Sequence, residues 1–216
     1  MNDAESWAKH TEEWLDRDLA LMTDDAGWQP VVARPGLAIW SRAMPDDDNR
    51  LFRWRLAALE APAEAVFEGF VHRLLEHHKA WTREFVGGHV VQARDGGVRI
   101  LYQRFAPGVP GIAQRDLCSA DVVRVLGPGH LLASFRSVDA LPPAPRHERI
   151  AWWGAALCRT LEDGQRSELT YLDRENQGGY FPSWLMNRMM PRYLNLQAEA
   201  VQRFFRGGGP GGVAGR

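Results

Sequence analysis

The chain has 216 residues, 45% of them hydrophobic and 25% charged, a composition that fits one globular domain and excludes a largely disordered chain. Its formal net charge is −1, from 26 Lys+Arg against 27 Asp+Glu, which removes the simplest case for a broadly basic nucleic-acid binder. All basic residues except Lys9 and Lys79 are arginines, and the nine tryptophans point either to a large core or to an apolar site that needs lining.

The first predicted element is a helix. Trp7, Trp14, Leu15 and Met22 recur at helical spacing, while Lys9, Glu12, Glu13, Asp16 and Arg17 fall largely elsewhere, and Asp24-Asp25-Ala26-Gly27 ends the run. The period then changes to two. Gln29–Ala33 and Leu37–Met44 read as strands around the turn Arg34-Pro35-Gly36, Pro45–Asn49 as a polar loop, and Leu51–Leu56 as a third strand. A second helix opens at Ala61-Pro62-Ala63-Glu64, carries the stripe Val66, Phe67, Phe70, Val71, Leu74 and Leu75, and ends near His77-His78.

Six further strands follow: Arg83–Ala93, Val98–Phe105, Asp116–Leu126, Leu131–Val138, Ile150–Leu161 and Glu168–Arg174. Asp95-Gly96-Gly97, Gly127-Pro128-Gly129 and Asp163-Gly164 supply tight turns, whereas Ala106–Gln114 and Asp139–His147 are longer connections. Pro182 opens a last helix with a wide apolar face, and Pro191 inside it predicts a kink or a new first turn. Gly207 begins a glycine-rich tail, 207–216, expected to be disordered.

Two cysteines, Cys118 and Cys158, are too few for a disulfide framework and lack metal-ligand spacing, so both are expected to be reduced and buried. His72, His77, His78 and His89 form no i, i+4 chelating pair and are expected at a solvated helix end, so neither metal nor cofactor is expected. The start Met1-Asn2-Asp3-Ala4-Glu5 is acidic and unlike a secretory leader, and Ile150–Cys158 is far short of a membrane span; the expectation is a cytoplasmic monomer.

About nine short strands in hairpin succession imply one antiparallel sheet, an α+β fold. Such a sheet curls because strands twist, and the last helix is available to cover its concave face. Met186, Met189 and Met190 lie on the first half of that helix. Methionine suits either a surface that re-packs around variable partners or plain core filling.

This order of helix, three strands, helix, six strands and long C-terminal helix resembles the START domain, the StAR-related lipid-transfer fold of the helix-grip superfamily. Three local matches carry the resemblance. Gln114-Arg115-Asp116-Leu117-Cys118 is similar to the Arg-Asp pair that begins a central strand. Leu169-Thr170-Tyr171-Leu172-Asp173-Arg174-Glu175 is similar to the last strand. Asn176 to Arg188 is similar to the Gly-aromatic-x-Pro approach to the C-terminal helix, with Trp184-Leu185-x-Asn187 after it. Trp81 also sits where the family has tryptophan. The resemblance covers roughly residues 5–206.

The resemblance implies a hydrophobic tunnel between the curled sheet and the last helix, holding a lipid or other apolar small molecule, with transient membrane contact during transfer; the net charge of −1 leaves no nucleic-acid partner expected. Its apolar walls are expected from Trp153, Leu157, Tyr171, Leu185 and Met189. In this family the loop that joins two central strands, here Ala106–Gln114, is with the C-terminal helix the expected gate; that falls on Pro107, Gly108, Pro110, Gly111 and Phe181. Sterol-binding members carry a buried acid–base pair in this part of the pocket. Asp121, six residues after Arg115, is an acid where they place a base, which argues against a sterol and permits a reversed pair with Arg104. Asp121 shares strand parity with Leu117 and Ser119, and Tyr102 shares a face with Arg104, so Tyr102, Arg104, Ser119 and Asp121 are candidate ligand contacts; an outward-facing Asp121 fits the same alternation if the register is reversed. Arg115-Asp116 reads as a structural pair fixing the strand's start, since adjacent strand residues point to opposite faces. The rival functions are a polyketide cyclase or aromatase, with Tyr102, Arg104 and Asp121 moving protons, and a ligand-sensing regulator.

Overall fold

The computed structural model describes residues 3–94, 97–107 and 111–208. The expected turn residues Asp95-Gly96, the gate residues Gly108 and Pro110, and the tail from Gly209 lie outside the described residues. Helix α1 (Asp3–Thr23) precedes strands β1 (Gln29–Arg34), β2 (Leu37–Met44) and β3 (Asp47–Leu59). A broken helical segment follows: α2 (Ala63–Phe67), a π-helical turn (Glu68–His72), α3 (Leu74–His77) and a 3₁₀ turn (His78–Ala80). Then come β4 (Phe85–Ala93), β5 (Arg99–Phe105), β6 (Gln114–Gly127), β7 (His130–Ser137), β8 (His147–Arg149), β9 (Ala151–Thr160), β10 (Ser167–Asn176) and α4 (Ser183–Arg206).

The strands form one sheet in the order β1-β2-β3-β10-β9-β7-β6-β5-β4, antiparallel throughout, with the short β8 added parallel to the start of β6. The first three strands thus join the sheet through the last one, β3 against β10. Alternate residues split each strand between two covered faces. On the concave face, Leu37, Ile39, Phe52, Trp54, Phe135 and Tyr171 pack with Met186, Met190, Leu194, Ala198, Val201 and Phe205, the buried stripe of α4. On the convex face, Leu51, Ala120, Val122, Leu132, Trp153 and Leu172 pack beneath Leu15 and Met22 of α1.

Four details differ from the sequence expectation. The polar run after Pro45 is mostly strand, because Arg174 binds the Asp47 carboxylate at 2.5 Å and Asn187 bridges the Arg50 amide and the Asp48 carbonyl. The second helix is not continuous. The Arg99 guanidinium donates to the Val71 and His72 carbonyls at 3.0 and 2.8 Å, and the Arg73 amide reaches the Glu68 carbonyl at 2.8 Å, so an inserted side chain widens the turn. Residues 147–149, from the last residue of the expected long connection to just before the expected strand at Ile150, form β8. Helix α4 runs through Pro191 as one element, without a new first turn there.

The tryptophans mostly serve the convex face. Trp7, Trp14, Trp28, Trp40 and Trp153 belong to the cluster beneath α1, interleaved with arginines: Arg53 lies 4.6 and 4.8 Å from the Trp28 and Trp40 rings, and Arg136 lies 4.8 Å from Trp153. Arg136 also binds the buried Asp18 of α1 at 2.7 Å. Arg53 donates to the carbonyls of Leu21, Met22 and Asp24, capping α1, and pairs with Asp25 at 2.5 Å. Arg53→Ala strands three carbonyls, so denaturant unfolding should show a loss of about 2–3 kcal/mol. Asp25 is 91% exposed at its side chain, so Asp25→Ala should cost under about 1 kcal/mol. Equal losses would contradict the capping role.

Candidate functional site

A cavity of about 270 Å³ lies between the concave face, the broken helical segment and the first half of α4. Its apolar wall comes from Phe70 and Trp81 of the helical segment, Phe105 and Leu117 of β5 and β6, and Phe135, Trp152 and Tyr171 of the central strands. Met186, Met189, Met190 and Tyr193 close it from α4. Trp152 stacks on Phe135 at 5.3 Å, and Gly154 makes this possible: a Cβ there would stand 2.6 Å from the Trp152 ring. Pro107 and Ile112, from the β5–β6 connection, and Phe181, just before α4, line the same space.

Three acids stand among the polar groups of the lining, which also include His78, Thr82, Gln103, Arg115, Gln177 and Gln197. Asp173 and Glu175 are on β10 and Glu84 immediately precedes β4; all three line the cavity. Asp173 is 2% exposed and accepts from Trp152 Nε1 at 2.9 Å, and Glu175 accepts from Gln177 Nε2 at 2.6 Å. Among the described residues none of the three forms an ion pair. Burial, reinforced by the Glu175 charge, holds Asp173 well above the usual carboxylate range, and burial together with the Glu84 charge raises Glu175 to about 7. Burial and the same carboxylates push the Tyr193 hydroxyl up.

Gln197 donates to Thr82 Oγ1 at 3.4 Å, while its Oε1 has no hydrogen-bond partner. His78 contacts Gln103 Oε1 at 2.8 Å through Nδ1 and stacks 4.6 Å from Phe85; burial lowers its pKa to about 4, so it stays neutral. It forms cavity wall, not the solvated helix end expected for the histidines. Cys118 and Cys158 are buried free thiols, as expected.

Of the sequence-derived candidates, Tyr171, Met189, Pro107 and Phe181 line this cavity. Tyr102, Arg104, Ser119, Asp121, Trp153, Leu157 and Leu185 do not, and Gly111 is exposed outside it. Tyr102, Arg104, Trp153 and Leu157 fall on the convex parity; the concave positions are Gln103, Phe105 and Trp152. Tyr102 donates to Asp116 at 3.0 Å, where Arg149 also binds at 2.8 Å, and Arg104 is exposed. Arg115 and Asp116 do face opposite ways. Asp116 is 0% exposed and ties β5, β6 and β8, whereas Arg115 turns to the cavity, with Nη1 on the Ala113 carbonyl and Nε unpartnered.

Asp121 is on the concave parity but midway along β6, beyond the cavity and sealed under the π-helical turn. Its partner is Arg99, not Arg104. Burial raises its pKa, while Arg99 opposes the rise. Asp173, Glu175, Glu84 and Gln197 were missed as site residues. The signal was available in the alternation Tyr171, Asp173, Glu175, which puts two acids on the face of a residue already assigned to the wall.

Residues 24–205 match the sequence profile of the START domain. The chain belongs to the START domain family. The steroidogenic acute regulatory protein of Gallus gallus, a mitochondrial protein, is 24% identical over 212 residues, which cover 94% of this chain and 74% of that one. Among solved structures, the human StAR-related lipid transfer protein 5 superposes with a TM-score of 0.80 at 17% identity, covering 92% of this chain and 96% of that one. A STAR-related lipid transfer protein from Xanthomonas axonopodis gives 0.71 at 22% identity, covering 83% and 99%. These structural likenesses are of fold, and they bear out the helix-grip expectation. No helix among the described residues is long and apolar enough to cross a membrane.

Two outcomes follow from the START domain's internal charges. Asp121→Asn should destabilise the fold by about 2 kcal/mol, read by denaturant unfolding, and leave ligand affinity within about twofold, because Arg99 loses its partner outside the cavity. A changed ligand preference with unchanged stability would place Asp121 in the site. The raised pKa values of Asp173 and Glu175 mean that the folded state holds protons which the unfolded chain releases. Their contribution to stability therefore falls as pH rises from the ordinary carboxylate range through about 7. Relative to the parent, the Asp173→Asn/Glu175→Gln variant should gain stability across that window; a flat difference would contradict the assignment.

Proposed function

We propose that this START domain binds a lipid or other hydrophobic small molecule non-covalently in the cavity and carries it between membranes. The observation that carries this reading is the apolar cavity itself, walled by aromatic side chains and by three methionines that can re-pack around ligands of different shape. A ligand burying about 300 Å² of apolar surface gains on the order of 7 kcal/mol before ordering costs.

The surface beside the cavity supports a transient membrane encounter. Trp184 is 65% exposed and Met189 52%. Trp184, Arg188, Arg192 and Leu196 succeed one another at four-residue steps along the exposed side of α4, and neither arginine forms an ion pair among the described residues. An aromatic ring beside free cations suits the headgroup region of a bilayer. A cyclase reading loses its named groups, since Tyr102, Arg104 and Asp121 do not line the cavity. The carrier reading needs no catalytic group.

Release then requires the β5–β6 connection to part from α4, since Ile112 and Met189 line one cavity from these two elements. Ile112→Cys/Met189→Cys, joined by a cleavable bismaleimide, tests this; the native thiols are buried and stay unlabelled. Transfer of a fluorescent fatty acid or phospholipid between vesicles should slow about tenfold on cross-linking and recover on cleavage. Unchanged transfer in the linked protein would overturn the gate.

A further inference from the structure

We infer that the acidic end of the cavity receives a protonated nitrogen, so that the ligand is an apolar molecule bearing an amine. This rests on the proposed binding of an apolar ligand in the same cavity and names its chemical class.

The acceptors around this space outnumber the donors that reach them. Glu84, Asp173 and Glu175 come from two separate elements and open onto one space. The donors that reach Asp173 and Glu175 are Trp152 Nε1 and Gln177 Nε2, and neither carries charge. Gln197, 8% exposed and on the opposing α4, adds a carbonyl oxygen with no partner. Asp173 is buried and Glu84 and Glu175 are half-buried, so this acceptor-rich space is costly to leave empty of donors, and a charged N–H group offers up to three hydrogen bonds together with the missing positive charge.

The other ionisable groups around the space do not supply that charge. His78 is neutral, the Tyr171 and Tyr193 phenols keep their protons, and Arg115, the cation that also lines the cavity, pairs with none of the three acids. The raised pKa values of Asp173 and Glu175 agree: without a cation, the pair retains protons. Binding an ammonium ion then expels a proton from the carboxyl it meets, and no bond other than O–H is broken. Affinity for the amine therefore rises with pH until the carboxyls are ionised.

The test uses the full chain and three ten-carbon probes, decylamine, 1-decanol and decanoate, in calorimetric titrations at about pH 8 and about pH 6. Decylamine should bind about tenfold more tightly than decanol at the higher pH, and decanoate most weakly. At the lower pH its binding should release protons, seen as a heat that changes with the buffer's ionisation enthalpy. Asp173→Asn/Glu175→Gln should bring amine and alcohol within about twofold of each other and abolish proton release while decanol still binds. If the double variant does not fold, Glu175→Gln alone should show the same trend, and the parent's pH dependence stands as the second readout. Equal binding of amine and alcohol, or tightest binding of decanoate, overturns the amine inference and leaves the apolar cavity reading intact. Failure of all three probes overturns both.

Discussion

Side chains alternate along every strand of a single sheet, and both of its faces are covered. This constraint decides where each group can act. One parity supports α1 and the other supports α4 with the broken helical segment, so each strand residue serves one core. The convex core can be filled solidly. The concave one cannot, because a sheet that curls around one helix leaves space between its central strands and the first half of that helix. The cavity occupies that space, and Gly154 is the place where a strand gives up its side chain so that the Trp152 ring can lie against the wall.

The abundance of arginine has a physical role in this arrangement. A planar guanidinium can cap carbonyls, bind a carboxylate and lie on an indole with one side chain. Arg53 does all three at the end of α1, and Arg136 joins Asp18 to the Trp14 and Trp153 rings. Arg99 works on the other face. It takes the carbonyls that the π-helical turn releases and holds Asp121, fastening the helical cover to the sheet beyond the end of the cavity. These arginines stabilise the walls, while among the described residues the acids of the cavity have no ionic partners.

The order of elements, the strand succession and the closing helix were legible because periods of two and near four are strong signals, and Gly- and Pro-rich turns separate them. Facing was harder to read. Alternation reveals the inside only when the outside is polar, and here both sides are apolar. Trp152 and Trp153 are adjacent, as are Leu101 and Tyr102, and hydropathy does not say which of each pair faces the cavity. Arg104 was read as internal on that basis, yet it is exposed. The break in the second helix was equally hidden, since its cause, Arg99, comes from a strand distant in sequence. By contrast, the opposed directions of Arg115 and Asp116 followed from neighbour geometry alone.

Whether the space beneath α4 holds one apolar molecule is tested most directly by native mass spectrometry of the purified chain, with organic extraction of whatever co-purifies. The spectrum should show a species heavier than the chain by a single small molecule, which solvent extraction removes and which a mixed extract of cell lipids restores at one per chain. A bare chain that acquires nothing from such an extract would contradict that binding.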